Sequence, residues 1–419
     1  MRLWCNEFSR VFFDRLVTEE DRSVVQEHLD AILQQFFPES HAYATRNPLV
    51  FGGFEKALEQ ITGDVDDSSR LYGDMGDLTR VRTIFDGVLE NYNKVNSKTL
   101  KLVLFEMALS HLVRLMRILK TPRGHALLIG IGGSGKRSLA KLAAYASGYE
   151  LFEISLTRGY KESDFREDLK TMYTKLTRGP VVFLFSDVHI VDEGFLEYIN
   201  NILCTGIHPG LLEGEDKEAA CNLLRTQAKI SGIHESANGL WQYFVETCRS
   251  NLHIILAMSP SGEKLRLRCR NFPGLVSACT IDWFLPWPRD ALEQVAASFL
   301  KNEKDIFQGI SADRVMRQVV LMHELATKMA HDFHAATKRT YYVTPKHYLD
   351  FICSFKDQLY SDTNKVRTSI KRLEGGLTKL EEAAVAVDRM QEELKEKKVS
   401  ITHSKQLPNP HHFFTYRSV

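Results

Sequence analysis

A glycine-rich segment between an apolar run and a helix-forming run constrains this chain more than any other feature. Residues 126–138 read Ala-Leu-Leu-Ile-Gly-Ile-Gly-Gly-Ser-Gly-Lys-Arg-Ser. Glycines permit the positive φ angles that turn backbone N–H groups inward, and the following helix points the positive end of its dipole at an anion. This order of strand, loop and helix is typical of a phosphate-binding P-loop. The alternative, a glycine-rich turn with a surface lysine, does not need the flanking pattern.

The P-loop predicts a set of phosphate contacts. Lys136 would reach the β- and γ-phosphates as a point charge. The next position normally supplies a hydroxyl to Mg²⁺, but here it is Arg137, which would contact phosphate or weaken Mg²⁺ binding by repulsion. The hydroxyl comes one residue later, at Ser138, and one residue is about 100° around a helix, so we expect it to point away from the metal. The predicted phosphate-binding residues are Gly130, Gly132, Gly133, Ser134, Gly135, Lys136, Arg137 and Ser138.

Two later apolar runs predict the rest of the nucleotide site. The run over residues 181–186 is followed by Asp187, and a carboxylate at a strand end is suited to hold Mg²⁺ through water. A hydrolytic site of this kind has glutamate next, whereas this chain has Val188. Ser259 follows the run over residues 254–258, where a polar residue would face the γ-phosphate. We therefore expect nucleotide binding with weak or absent hydrolysis, and we assign no catalytic residue.

Composition argues against several classes of protein. Lys and Arg total 54 against 53 for Asp and Glu, which argues against nucleic acid and anionic membranes as partners. The 7 cysteines are dispersed without a Cys-x-x-Cys pair, which favours reduced thiols over a disulfide framework or a zinc site. The N-terminus lacks an apolar signal core, and the apolar runs are too short to cross a bilayer. A soluble intracellular protein is expected.

Apolar patterning predicts an α/β core between helical segments. Between residues 125 and 290, short apolar runs alternate with helical segments, as in a parallel sheet. Helical spacing predicts helices over residues 78–92 and 100–119 before this core, and over 291–300 and 315–333 after it. A heptad seam from Ile370 to Leu394 favours a coiled coil over a helix packed on its own domain. The predicted strands are Leu127–Ile129, Leu151–Ile154, Val181–Phe185, Ile254–Met258 and Cys279–Ile281.

Taken together, these motifs resemble dynein heavy chains, more the axonemal than the cytoplasmic form. The opening residues 2–16 look like the closing lid of the third AAA+ module. The P-loop over residues 128–138 resembles that of the fourth module. Further segments resemble later elements of the fourth module, its lid and the first helix of the microtubule-binding stalk: Phe183–Asp187, Phe195–Leu203, Met258–Pro260, Thr280–Phe284, Tyr341–Pro345 and the residues from Gly376 onward.

The resemblance implies an α/β fold, namely an AAA+ P-loop NTPase module (a parallel sheet with flanking helices) with a helical lid and a C-terminal coiled-coil helix. Arg268 or Arg270 would sit at a module interface and reach a neighbour's nucleotide. The implied boundaries are 1–120 for the lid of the preceding module with its linker, 121–290 for the nucleotide-binding core, 291–360 for the helical lid, 361–403 for the start of the stalk and 404–419 for a divergent tail.

The resemblance also implies a regulatory module that binds ATP or ADP, with weakly held Mg²⁺ at Asp187. Its partners would be the remaining AAA+ modules or dynein chains, with microtubules and the dynein intermediate and light chains reached only through the complete motor. The expected location is the cytoplasm, the cytoskeleton and the ciliary axoneme. Because these residues cover one module and the start of a stalk, we expect a truncated product that cannot move alone. Two alternatives stay open: an independent P-loop NTPase or kinase, and a coiled-coil interaction protein with a vestigial nucleotide site.

Overall fold

The computed structural model describes residues 1–55, 57–62, 72–233, 236–300 and 311–405. These residues belong to two compact units, the first ending at Asp350 and the second beginning at Phe351. The first unit contains the strands and the helices packed around them. Among the described residues, no helix is both long enough and apolar enough to span a bilayer.

The strands over residues 126–130, 181–186 and 252–258 are buried at every position, as expected for a parallel sheet that is covered on both faces. In chain order the strands of the structure are β1 (Phe51–Gly52), β2 (Gly73–Asp74), β3 (Ala126–Gly130), β4 (Glu150–Phe152), β5 (Val181–Ser186), β6 (Leu252–Met258) and β7 (Thr280–Phe284). The short β1 and β2 pair antiparallel with each other. The other five form one parallel sheet in the order β4-β5-β6-β3-β7. The strand that leads into the P-loop, β3, is therefore enclosed between β6 and β7.

Helices cover the sheet and extend before and after it. Several begin at a side chain that caps the first turn: Thr18 accepts a hydrogen bond from the backbone of Asp21, and Asp77 accepts one from Thr79. A π-helical turn over Ser9–Phe13 and a 3₁₀ turn over Pro38–Ser40 lie on either side of the second helix. The first eight helices are α1 (Arg2–Phe8), α2 (Glu19–Phe36), α3 (His41–Ala44), α4 (Ala57–Thr62), α5 (Leu78–Val95), α6 (Glu106–Lys120), α7 (Lys136–Ala146) and α8 (Glu162–Leu176). The others are α9 (Phe195–Thr205), α10 (Glu215–Ile230), α11 (Ala237–Asn251), α12 (Lys264–Asn271), α13 (Gly274–Ser277), α14 (Arg289–Leu300), α15 (Ala312–Thr337) and α16 (Pro345–Lys405).

All five predicted strands of the core are present, and the predicted fold class is confirmed. One helix prediction was wrong in its start, because the segment over residues 100–105 is not helical and α6 begins only at Glu106. Leu100 is held there instead by Asn93, whose side chain accepts from the Leu100 backbone N–H at 2.7 Å. The chain consequently runs past the P-loop in a non-helical conformation before the helix starts.

A buried charge network joins the N-terminal segment to the sheet. Asp282 of β7 is 1% exposed, accepts a hydrogen bond from Arg114 at 2.8 Å and lies 2.8 Å from the His111 ring nitrogen Nδ1. Arg114 also pairs with Asp14 at 3.3 Å, and Arg10 pairs with Asp14 at 3.3 Å. Burial acts to raise the pKa of Asp282, but the His111 ring and the Arg114 guanidinium outweigh it and hold that pKa well below its usual range. The first residues of the chain are thus fixed to the strand beside β3.

The second unit, as far as it is described, is the helical stretch from Phe351 to Lys405 within α16. The predicted heptad positions are exposed: Leu373 by 73% and Leu380 by 70%, for example. Exposed leucines at heptad spacing are typical of a helix whose seam packs on a second helix. The coiled coil therefore stays a prediction. Most of the predicted tail, residues 406–419, lies outside the described residues.

Candidate nucleotide site

The sheet brings together the three elements that the sequence predicts for a nucleotide site. The backbone register pairs Ile129 of β3 with Met258 of β6, and Ser186 of β5 with Ala257 of β6. Because the strands are parallel, their carboxyl ends lie along one edge of the sheet. The P-loop, Asp187 and Ser259 all follow these ends directly. Ligands of open parallel sheets bind at such an edge.

The P-loop has the backbone conformation that its glycines predict. Gly133 has φ +83° and Gly135 has φ +93°, values that side-chain-bearing residues rarely adopt. Gly133 also lies against the first turn of α16, where a Cβ atom would stand 2.5 Å from the backbone nitrogen of Lys346. A Cβ at Gly130 would stand 2.6 Å from the Cβ of Phe284. The loop is thus shaped by close packing on both sides, and it places the start of α16 at the phosphate-binding loop.

Lys136 is folded back on the loop carbonyls. Its ammonium group donates to the carbonyls of Gly130 and Ile131, the latter at 2.9 Å, and to the Ser134 hydroxyl at 3.3 Å. The residue is only 9% exposed. Burial lowers the pKa of Lys136 to about 8, although the Asp187 carboxylate acts in the opposite direction. A buried, incompletely neutralised lysine at a helix N-terminus is suited to receive a polyphosphate.

The other predicted loop residues have different surroundings. Ser134 is buried and its hydroxyl donates to the Ile131 carbonyl at 2.9 Å, which closes the loop. Gly132 is exposed, and open space surrounds the position of its missing Cβ atom. Arg137 extends away from the loop to Glu153, 3.2 Å away, which also pairs with Lys141. The phosphate contact expected of Arg137 stays a prediction.

Ser138 has different surroundings from Lys136, whose ammonium group bonds to the loop carbonyls. Its side chain lines a cavity of about 100 Å³ behind the P-loop. The expected displacement of its hydroxyl from the metal position stays a prediction.

Asp187 is engaged on both carboxylate oxygens. Its Oδ1 accepts from the Arg268 guanidinium at 2.7 Å, and its Oδ2 accepts from the Ser259 backbone N–H at 2.6 Å. Arg268 also donates to Glu193 at 2.7 Å and 3.1 Å, and these hydrogen bonds raise the pKa of Arg268. The Ser259 hydroxyl donates to the Ser261 hydroxyl at 3.0 Å. Asp187, Ser259, Arg268 and Glu193 therefore form one hydrogen-bonded cluster.

The residues present do not make up a usual Mg²⁺ site. The metal of a P-loop enzyme takes a hydroxyl from the residue after the lysine and an acidic residue at the second strand. Here the first position is an arginine, and the second carboxylate already has a guanidinium and a backbone N–H on its two oxygens. Within the described residues, no group of three or more His, Cys, Asp or Glu side chains could hold a metal ion.

The cavity behind the P-loop is a part of the site that the sequence analysis missed. Its walls come from the non-helical segment before α6, from the loop itself and from α7, α14 and the start of α16. The apolar wall residues are Leu102, Val103, Phe105, Leu139, Trp287, Val295, Phe299 and Leu349. The sequence signal for this part was weak, because residues 102–105 are all apolar and do not distinguish an extended segment from a helix. A flat, mostly apolar ring that extends from a phosphate chain fits such a space.

The resemblance implies that Arg268 or Arg270 reaches a neighbouring module, and this assignment stays a prediction. Arg268 is 9% exposed and bonds to Asp187 and Glu193 of its own chain. Arg270 is exposed on the same short helix, α12. Sequence could not reveal the Arg268–Asp187 pair, because the two residues are 81 positions apart.

Comparisons with known proteins identify relatives of this chain. The family described as "P-loop containing dynein motor region D4" matches residues 100–358. The chain is 43% identical to the dynein-1-alpha heavy chain of the flagellar inner arm I1 complex of Chlamydomonas reinhardtii, over 96% of its own length. It is also 43% identical, over 95% of its length, to human dynein axonemal heavy chain 10. It is 37% identical, over 96% of its length, to the dynein beta chain of the flagellar outer arm of Chlamydomonas reinhardtii. The chain spans about 9% of the length of each of these relatives.

Proposed function

This chain belongs to the dynein heavy-chain family, within its P-loop motor region D4, and we propose that it is a regulatory nucleotide-binding module of an axonemal heavy chain. The module would retain ATP or ADP and hydrolyse it slowly or not at all. One observation carries this proposal: the phosphate-binding loop is complete, whereas Asp187 is engaged by Arg268 and by the Ser259 backbone.

The chain's own residues suggest how a nucleotide would be held. Backbone N–H groups of the P-loop and the N-terminus of α7 would bind the phosphates. Lys136 would exchange its loop carbonyls for phosphate oxygens, which are better partners because they carry full charge. The apolar cavity behind the loop would take the base. The start of α16 contacts the loop at Gly133, so occupancy would bear directly on the helix that continues into the heptad seam.

Weak hydrolysis follows from the groups that would act on water. A water molecule attacking the γ-phosphate needs a base or a polar group to orient it. The residue after Asp187 is Val188, whose exposed isopropyl group cannot accept a proton. The Ser259 hydroxyl is already hydrogen-bonded to Ser261. Glu193 is the nearby carboxylate, and it is bound to Arg268. Slow turnover would let nucleotide occupancy last longer than one cycle of a faster module, which is what a regulatory role requires.

Partners and location follow from the relatives and from α16. The relatives carry names that place them in flagellar inner and outer arms and in axonemes. We propose the same location for this chain, with the remaining AAA+ modules and the intermediate and light chains as partners, and microtubules as the track of the complete motor. The exposed seam over residues 370–394 would pair with a returning helix. The independent-enzyme alternative is weaker, because the similarity to heavy chains extends over almost the whole chain.

The test is nucleotide binding and phosphate release by the purified full chain. We expect ATP to bind, binding to weaken by at least about tenfold in Lys136→Ala because a charge-assisted contact is lost, and phosphate release to stay near background. Lys141→Ala is the matched control: it removes a lysine of the same helix that pairs with Glu153 instead. Rapid phosphate release would contradict the proposed regulatory role. A folded chain that binds no nucleotide would favour a role in protein interaction alone.

A further inference from the structure

We propose that Arg268 is a built-in cation that takes the place of Mg²⁺ at Asp187, so that nucleotide binding at this site does not require the metal. The inference rests on the proposed nucleotide-binding function and adds how the charge of the phosphates is balanced. Divalent metal normally supplies that balance at a P-loop by bridging phosphate oxygens to the acidic residue of the neighbouring strand.

Arg268 is positioned as a fixed group and not as a surface side chain. Its side chain is 11% exposed, against 36% for Asp187 and 58% for Glu193. It bonds to Asp187 through one terminal nitrogen at 2.7 Å and to Glu193 through the other, also at 2.7 Å. Its Nε lies 3.1 Å from each Glu193 oxygen. A planar guanidinium held by two carboxylates cannot rotate without breaking several charge-assisted hydrogen bonds.

The same contacts leave Asp187 poorly suited to a metal. Both of its oxygens already accept a hydrogen bond, one from Arg268 and one from Ser259. The usual second metal ligand is missing, because Arg137 stands in its position and pairs with Glu153. A metal at Asp187 would therefore have to displace a buried guanidinium that is already neutralising the carboxylate.

Local charge shows why a nucleotide could bind without metal. Lys136 and Arg268 supply two positive charges, and Asp187 and Glu193 supply two negative charges, so the charges of these four side chains cancel before ligand arrives. Without Arg268 the balance would be one positive charge against two negative ones, and the carboxylates would repel phosphate. Arg268 thus neutralises carboxylate charge that a bound cation would otherwise neutralise.

The test is the affinity of the full chain for the non-hydrolysable ATP analogue AMP-PNP, measured by calorimetry in Mg²⁺ and in EDTA. We expect the two dissociation constants of the wild-type chain to agree within about threefold. In Arg268→Gln, affinity in EDTA should fall by at least about tenfold, and Mg²⁺ should restore much of it, because the loss of a charge-assisted pair exposes the carboxylates to phosphate. Arg266→Gln is the matched control, since Arg266 lies on the same helix and pairs with exposed Glu263.

A second variant keeps the test decisive if Arg268→Gln does not fold. Asp187→Asn preserves an acceptor for Ser259 and removes one negative charge, so its affinity in EDTA should equal or exceed that of the wild-type chain. A site that works through metal gives the opposite result, namely tight binding only in Mg²⁺ and a loss in Asp187→Asn. Binding that needs Mg²⁺ in the wild-type chain overturns this inference but leaves the nucleotide-binding function intact. Absence of AMP-PNP binding in both buffers, with normal circular dichroism, overturns both.

Discussion

Raising the pH from 7.5 to 9.5 should release nucleotide from this site. Burial lowers the pKa of Lys136 to about 8 in the ligand-free chain, whereas a lysine in water has a pKa near 10.4. The sign follows from the charge: a cation with a lowered pKa is charged below about pH 8 and neutral above it. Bound phosphate favours the charged form, so affinity is full below that value and declines as the lysine loses its proton.

The size of the effect follows from the same pKa. If only the protonated lysine binds phosphate, apparent affinity falls about 25-fold from pH 7.5 to 9.5 for a pKa of about 8. A lysine with the ordinary value near 10.4 would change affinity by only about 1.1-fold over the same interval. The difference between the two pKa values corresponds to about 3 kcal/mol by which burial disfavours the charged form.

The assay is a titration of AMP-PNP at several pH values in EDTA, with circular dichroism to confirm that the chain stays folded. Lys136→Met is the control, because it removes the titrating group and should bind weakly with no pH dependence in this interval. Lys141→Ala should keep the wild-type profile, since Lys141 is paired with Glu153 outside the loop. A flat wild-type profile up to pH 9.5 would refute the reasoning, because it would mean that Lys136 keeps its proton or does not contact phosphate.

Further substitutions in the P-loop and in the buried charge network test the architecture of the fold. Gly133→Ala should destabilise the chain by at least about 1 kcal/mol and weaken AMP-PNP binding, because φ is +83° and the new Cβ would stand 2.5 Å from Lys346. Gly132→Ala is the control and should leave the free energy of unfolding unchanged, because the new Cβ would stand in open space. Equal unfolding curves for the two variants would contradict this. Asp282→Asn should lower the free energy of unfolding, measured in urea, by about 3–5 kcal/mol, because it removes the buried negative charge that pairs with Arg114. A loss below about 1 kcal/mol would show that the buried network is not stabilising.

Local patterns were sufficient for the sheet and the P-loop. Residues 181–185 are apolar at every position, which is typical of a strand buried on both faces, and β5 is such a strand. Gly133 and Gly135 adopt the positive φ angles that the loop motif demands. These features depend on neighbours in sequence, which is why they could be predicted without a structure.

Long-range pairings were not accessible in the same way. Nothing near Arg268 in sequence indicates that its guanidinium reaches Asp187, which is 81 positions away. The segment before α6 could not be predicted for a different reason. Its apolar residues fit either helical or extended spacing over so short a stretch, and its packing beside the P-loop decides the conformation. The ion pair between Arg137 and Glu153 likewise depends on a residue that follows β4.

The departures from a hydrolytic P-loop site are physically connected. Arginine in place of the metal-binding hydroxyl removes one ligand, and Arg268 on Asp187 occupies the other. Once metal is weakly held, a glutamate after Asp187 would add a third negative charge beside Glu193 without a cation to offset it, so an apolar residue such as Val188 is the less costly choice at that position. The loss of hydrolysis and the loss of metal dependence would then have one electrostatic origin, and the Arg268→Gln variant tests the metal dependence.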